Sequence, residues 1–150
     1  MAALRYIAAL VISGGFWIAV AFGLGSVLEG MIPFQVIDPA DFRNFFTLAI
    51  GIAALGALIL CWIWLAYGGR DLASTNLGAA KGTWRTLLVL SIADSIAILA
   101  HLFVHLRGEP LSFVVLLLMY LGAATASWIA FWLTTYLASP TNVKYVVWPR

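Results

Sequence analysis

The sequence has very few charged residues. Only 9% of its 150 residues are Asp, Glu, Lys or Arg, whereas a soluble domain carries about 25%. Hydrophobic residues make up 64% of the chain, and its mean hydropathy is +1.04. A chain with so little polar surface cannot cover a water-facing exterior, so the composition indicates a protein that resides in a lipid bilayer.

Cysteine is almost absent, since Cys61 is the single one in the sequence. An intramolecular disulfide and a cysteine-based metal motif are therefore both excluded. The net charge is only +2, and the sequence contains no basic run or basic patch interleaved with aromatics. A nucleic-acid partner is therefore not expected.

Four hydrophobic stretches, near residues 4–28, 45–67, 86–106 and 111–137, are long enough to cross a bilayer. A crossing needs about 20 mostly apolar residues, and in lipid such a segment satisfies its own backbone only as a helix. The first stretch is much longer than the apolar core of about 7–15 residues in a signal peptide, so we expect it to be retained. The sequence predicts an all-α membrane protein, a four-helix transmembrane bundle with residues 1–150 in one integral membrane domain.

The distribution of Lys and Arg predicts the orientation. The segments between the stretches are predicted as loops over residues 29–44, 68–85 and 107–110, with a tail from residue 139. If both termini are cytoplasmic, the positive-inside rule is satisfied by six of the eight basic residues, namely Arg5, Arg70, Lys81, Arg85, Lys144 and Arg150. We therefore expect cytoplasmic termini and residence in a bacterial plasma (inner) membrane.

Small residues at four-residue spacing allow two membrane helices to approach closely. Gly15, Ala19 and Gly23 form such a row on the first stretch, and the second and fourth stretches contain similar rows. Two interpretations stay open: the rows hold the chain's own bundle together, or at least one of them docks a partner subunit. The apolar tail with Tyr145 and Trp148 is a second docking candidate, as an interfacial anchor or as a strand added to a partner.

The third stretch contains one carboxylate and both histidines of the chain. At about 100° per residue, Asp94, His101 and His105 fall on one face within an arc of roughly 60°, with Ser91 at its edge. Ionisable groups at membrane depth usually face a bundle interior or a wet cavity. This stripe is therefore the candidate functional site.

A metal site is the first hypothesis for the stripe. His101 and His105 have the i, i+4 spacing with which two imidazoles can bind one divalent ion, and Glu109 is a candidate third ligand. The glutamate that follows the first histidine in zinc proteases is missing. Haem is not expected within this chain alone, because two histidines on one helix face cannot occupy opposite axial positions.

A proton or ion relay is the second hypothesis. Asp94 lies about nine residues from Arg85, roughly 13 Å along a helix, which places it near the membrane midplane. Asp94, Ser91 and His101 would then form a path toward the outer surface. The competing interpretation is that these side chains only fix helix packing.

The sequence contains no Ser-His-Asp arrangement, dinucleotide fingerprint or soluble catalytic domain. We therefore predict a non-enzymatic integral membrane subunit that packs within and stabilises a larger membrane protein complex, with other membrane subunits as partners. The alternatives are a small metal-binding or redox membrane protein that uses His101 and His105, and a proton- or ion-conducting subunit centred on Asp94.

Overall fold

The computed structural model describes residues 2–68, 76–139 and 144–147. These residues form four long helices and one short one: α1 (Ala2–Met31), α2 (Pro39–Gly68), α3 (Leu77–His105), α4 (Phe113–Ala138) and α5 (Lys144–Val147). Each of the four long helices is long and apolar enough to span a membrane. The predicted all-α, four-helix transmembrane architecture is confirmed.

The four long helices run alternately up and down in a closed ring. Each packs against the next, α4 packs back against α1, and α2 also contacts α4 across the centre. We call the end that carries the start of α1 and the end of α4 the terminal end. The opposite end carries the α1–α2 and α3–α4 connections, and we call it the loop end.

Helix α2 begins six residues earlier than the hydrophobic stretch beginning at residue 45 predicts. Asp38 caps it, because the Asp38 carboxylate accepts the backbone N–H of Ala40 at 2.7 Å. Pro39 then occupies the first helical position, where its missing N–H costs nothing and its fixed φ suits a helix. The predicted loop 29–44 was therefore too long, because Pro39 begins a helix instead of interrupting one.

Helix α3 likewise begins before its apolar stretch. The Asn76 side chain accepts the Ala79 backbone N–H at 3.1 Å, which is the hydrogen bond of an N-cap. Gly78 and Gly82 lie inside the helix, although glycine disfavours helix interiors. The second half of the predicted loop 68–85 is therefore helical.

Two of the three rows of small residues lie inside the bundle. Ala49, Ala53, Ala57 and Cys61 of α2 are all buried, as are Ala126, Ser127 and Ala130 of α4. In contrast, Gly15, Ala19 and Gly23 of α1 are exposed. The rows on α2 and α4 therefore serve the close packing of this chain, whereas the row on α1 faces outward.

A layer of serines separates the apolar core into two clusters. Trp17, Leu99 and Met119 belong to the cluster toward the loop end, while Ala9, Leu87 and Phe131 belong to the cluster toward the terminal end. Between these residues along α1, α3 and α4 lie four buried serines, Ser13, Ser91, Ser95 and Ser127.

One pair in this layer links two helices. The Ser127 hydroxyl donates to the Ser91 backbone carbonyl at 2.8 Å, and the two hydroxyl oxygens are 2.9 Å apart. Hydrogen bonds between membrane helices hold them in register when small residues bring their backbones close. The pair therefore ties α3 to α4 in the middle of the bundle.

Two buried tryptophans fasten the terminal end. The Trp64 indole donates to the Ser139 hydroxyl at 2.9 Å, and the Trp84 indole donates to the Thr135 hydroxyl at 3.0 Å. Helices α2 and α3 are thereby both bonded to the end of α4.

The tail after α4 packs back onto the same bundle. Val146 and Val147 are buried, and α5 contacts α3 and α4. Residues 144–147 form a helical turn, so the suggested added strand is wrong for them. The docking candidates Trp148 and the side chain of Tyr145 lie outside the described residues.

We expect Ser91 and Ser127 to be energetically coupled. In a double-mutant cycle with Ser91→Ala and Ser127→Ala, unfolding in mixed detergent micelles should give a coupling of about 0.6 kcal/mol, the typical value within membranes. The control cycle combines Ser26→Ala with Ser91→Ala, because Ser26 is exposed on α1. In this cycle the changes in unfolding free energy of the two single variants should add to that of the double variant within about 0.5 kcal/mol. Equal coupling in both cycles would contradict a specific link.

Candidate functional site

The predicted stripe on α3 lies along the boundary between α2 and α3. Asp94 stands in an open groove between these helices, with a volume of about 520 Å³. Its walls are otherwise apolar: Gly56, Ile59 and Leu60 from α2, and Leu90, Ala93 and Ala97 from α3. We call it the Asp94 groove.

Asp94 lies close to the middle of its helix. It is three residues from Ser91, the central residue of α3, which corresponds to roughly 4.5 Å along the axis. A hydrocarbon core is about 30 Å thick. The carboxyl group therefore lies well inside the depth that the helix spans.

Gly56 is the residue that makes room for this carboxyl. A Cβ placed on residue 56 would overlap the Asp94 carboxyl group. In contrast, a Cβ on Gly51, five residues earlier in α2, would meet nothing within 4 Å. Asp94 therefore fills a notch that exists only because residue 56 has no side chain.

The Asp94 carboxyl has an unsatisfied oxygen. Its Oδ2 atom is buried and accepts no hydrogen bond from the described residues. A polar group without a partner in apolar surroundings costs several kcal/mol (roughly 2–7). The groove around it therefore lacks the one component that this carboxyl requires, a hydrogen-bond donor.

Ser91, the predicted relay neighbour of Asp94, lies on a different side of α3. Its hydroxyl is 2.9 Å from that of Ser127 on α4, and the Ser95 hydroxyl donates to the Ser91 carbonyl at 3.1 Å. Three residues correspond to a turn of about 300°, so Ser91 and Asp94 point about 60° apart. This difference directs Ser91 into the bundle and Asp94 into the groove.

The two histidines lie farther along the same boundary, near the loop end. Both are exposed. Their ring centroids are 5.1 Å apart in an edge arrangement, and His105 also stacks on Phe45 at 5.3 Å. They line a second groove of about 200 Å³ with Phe45, Leu48, Ala49, Ile52, Ile98 and Leu102.

Glu109, the predicted third metal ligand, is bound elsewhere. It lies in the α3–α4 loop and accepts three backbone N–H groups of the α1–α2 loop: Gln35 at 2.8 Å, Val36 at 2.8 Å and Ile37 at 2.6 Å. Both carboxylate oxygens take part. In the described part of the chain, no three His, Cys, Asp or Glu side chains form a group that could hold a metal ion.

This clamp lowers the pKa of Glu109. Burial alone raises the pKa of the carboxyl, but the N–H groups of Gln35, Ile37 and Val36 stabilise the carboxylate and bring the net pKa below its ordinary value. Gly108 precedes it with φ of +99°, a backbone conformation that favours glycine. The Gly108-Glu109 pair is the sequence signal for the turn itself. The contact with the α1–α2 loop could not be predicted from the sequence, because Ile37 is 72 residues away from Glu109 in the chain.

An ion pair at the loop end was not predicted from the sequence. The Arg43 guanidinium donates to both Glu29 carboxylate oxygens, at 2.6 and 3.1 Å. This fork geometry is the strong form of a carboxylate–arginine contact. The two residues flank a short connection, so the pair joins the end of α1 to the second turn of α2.

These features define the protein as an integral membrane four-helix bundle with an acidic groove between two of its helices. Comparisons with protein-family models, with curated proteins and with solved structures found no significant match. The chemistry of the Asp94 groove is therefore inferred from the residues of this chain alone.

We expect Gly56→Ala to be destabilising and Gly51→Ala to be tolerated. The added methyl at position 56 would force the Asp94 carboxyl out of its notch, and overpacking of this kind costs about 1–3 kcal/mol. Gly51→Ala is a matched control on the same helix and should stay within about 0.5 kcal/mol of the parent chain. Detergent-induced unfolding measures both, and equal effects would contradict the notch.

We expect the Glu109 clamp to make stability depend on pH. Because the folded-state pKa is lowered, its stabilisation is complete above the ordinary glutamate value of about 4.3 and disappears as pH falls through the lowered pKa. Glu109→Gln should reduce stability at neutral pH and remove this acid-dependent component, measured by unfolding at a series of pH values. Arg107→Gln, in the same loop, should retain the component; its loss there too would contradict the clamp.

Proposed function

We propose that this protein is a non-enzymatic integral membrane subunit that packs within, and stabilises, a larger membrane protein complex. The observation that carries the proposal is Asp94, a carboxyl that lines a groove opening sideways from the bundle and whose Oδ2, enclosed beside Gly56, has no partner among the described residues. A carboxyl at membrane depth is expensive without a donor. A helix from another subunit, packed into the groove, would supply the donor and cover the apolar walls.

The separation of the polar side chains favours a structural role over a catalytic one. Asp94 lines one groove, and His101 and His105 line another. Ser91 is bonded inside the bundle to Ser127. In the described part of the chain, the residues of the stripe therefore lie in different surroundings. General acid–base chemistry requires groups within hydrogen-bond reach of one substrate.

The outer face of α1 supports a second contact of the same kind. Gly15, Ala19 and Gly23 are exposed, and no neighbouring atom within 4 Å would meet a Cβ added at Gly15 or Gly23. Small residues in such a row permit close helix packing in lipid. The charge distribution along the sequence supports cytoplasmic termini, and a bacterial plasma membrane is the setting in which we place this subunit.

The proposal predicts an assembly that is larger than the chain itself. The protein should be extracted with its surrounding lipid by a membrane-solubilising polymer, and the particle analysed by native mass spectrometry. We expect the 16.3 kDa chain together with a fixed ratio of at least one other integral membrane protein. Isolation of the chain alone from its native membrane, with its fold intact, would contradict the proposal.

A metal site shared with a partner is the second candidate function. The observation that favours it is the edge contact of the exposed His101 and His105 rings, whose centroids are 5.1 Å apart. Two imidazoles at i, i+4 can bind one divalent ion when other ligands complete the site.

Metal analysis of the purified assembly tests this candidate. We expect a bound transition metal in the parent protein and its loss in the double variant His101→Ala/His105→Ala. Asp41→Asn, an exposed carboxyl at the same end of the bundle, is the control and should retain the metal. Equal metal content in the parent and the double variant would remove the metal site.

A further inference from the structure

The Asp94 groove and the histidine groove are two separate grooves that follow each other along the same helix boundary. Both lie on the boundary between α2 and α3, and together they extend from Leu90 to His105 along α3. Fifteen residues of helix correspond to roughly 22 Å, much of the thickness of a hydrocarbon core. Two grooves in line over this length, along the boundary between two helices, offer a surface for another helix.

The walls of the Asp94 groove allow a helix to approach closely. Gly56, Ala93 and Ala97 carry little or no side chain and lie among Ile59, Leu60 and Leu90. Small residues permit the close backbone contact by which membrane helices associate. Lipid chains can fill the same space, but they offer no donor to Asp94.

The chemistry of Asp94 specifies what the helix must carry. The carboxyl lies at membrane depth and lines the groove. Its Oδ2 is enclosed beside Gly56 and accepts no hydrogen bond from the described residues, so a partner group meets the carboxyl from the open side of the groove. Acidic and basic groups inside a membrane pair with one another. A Lys or Arg supplies both the donor and the compensating charge, whereas a hydroxyl supplies only a donor.

A second copy of this chain does not provide that cation. On α3 the nearest basic residue in sequence is Arg85, nine positions or roughly 13 Å from Asp94. On α2, Arg43 lies 13 positions from Gly56, the residue beside the Asp94 carboxyl. A copy inserted in the same orientation would therefore place no basic group of α2 or α3 at the depth of Asp94.

We propose that the groove between α2 and α3 binds a transmembrane helix of another protein that carries a Lys or Arg near its centre, which pairs with Asp94. The apolar positions of that helix pack against Gly56 and Ala93, and its far end lies beside His101 and His105. This inference rests on the proposed function, because it names the chemistry of one partner of the proposed subunit.

The probe is a fluorescent transmembrane peptide of Leu and Ala with a single central Lys, compared with the same peptide carrying Leu at that position. Both are titrated into phosphatidylcholine vesicles that contain the full chain labelled at its N-terminus, and energy transfer reports association. We expect the Lys peptide to bind about tenfold more tightly, a difference of about 1.4 kcal/mol.

Two variants at Asp94 identify the source of this preference. Asp94→Asn has nearly the same shape and should reduce the ratio of affinities to about one. Asp94→Lys should reverse the charge requirement, so that a peptide with a central Glu binds better than the Lys peptide. Asp41→Asn removes an exposed carboxyl outside the groove and should leave the tenfold ratio unchanged.

Three outcomes would overturn the inference: no preference for the Lys peptide, a preference that persists in Asp94→Asn, or competition by unlabelled copies of this chain for the same groove. The native assembly tests the proposed function separately. If the native assembly is found but the chain shows no preference for the Lys peptide, the proposed subunit role stands and the basic partner helix is rejected. If the chain prefers the Lys peptide but is isolated from its native membrane without another protein, the proposed subunit role is rejected.

Discussion

The constraint on which this structure depends is that lipid offers no hydrogen bonds. Every backbone and side-chain polar group between the two membrane surfaces must therefore find its partner within protein. This requirement makes the four spanning segments helical. Three of these helices also begin beside side chains that cap free N–H groups. Asp38, Asn76 and Ser112 each accept such an N–H at the beginning of a helix.

The same constraint explains where the polar side chains lie. Ser91 and Ser127 bond to each other across α3 and α4, and the buried indoles of Trp64 and Trp84 donate to hydroxyls at the end of α4. At the opposite end, Glu109 gathers three backbone N–H groups from the α1–α2 loop. The bundle is thus held together at its centre and at both ends by polar contacts that cross between helices or loops.

Asp94 is one of the buried polar groups without a partner among the described residues, with the Trp17 indole nitrogen and the Thr134 hydroxyl, and it is the carboxyl among them. Its carboxyl fits a notch that Gly56 leaves in α2, so the close approach of the two helices depends on this pair of residues. Its Oδ2 is enclosed beside Gly56 without a donor from the described residues, and the Asp94 side chain lines a groove that opens to the surroundings. An ionisable group that has no partner among the described residues and lines a lateral groove is the observation behind the proposed subunit role.

The sequence by itself determined the four spans, because about 20 apolar residues have no alternative to a helix in lipid, and it determined that Asp94, His101 and His105 share one side of α3. It did not determine that α2 starts at Pro39 and α3 at Leu77. In both helices a capping side chain, Asp38 or Asn76, starts the helix several residues before the apolar stretch begins. Only the tertiary structure decided that Ser91 turns to α4 while Asp94 turns to Gly56, and that Glu109 bonds the α1–α2 loop instead of approaching the histidines. Helical periodicity predicts which residues share a face of one helix. Which other helix that face contacts depends on how the four helices pack together, and this packing involves residues far apart in the chain.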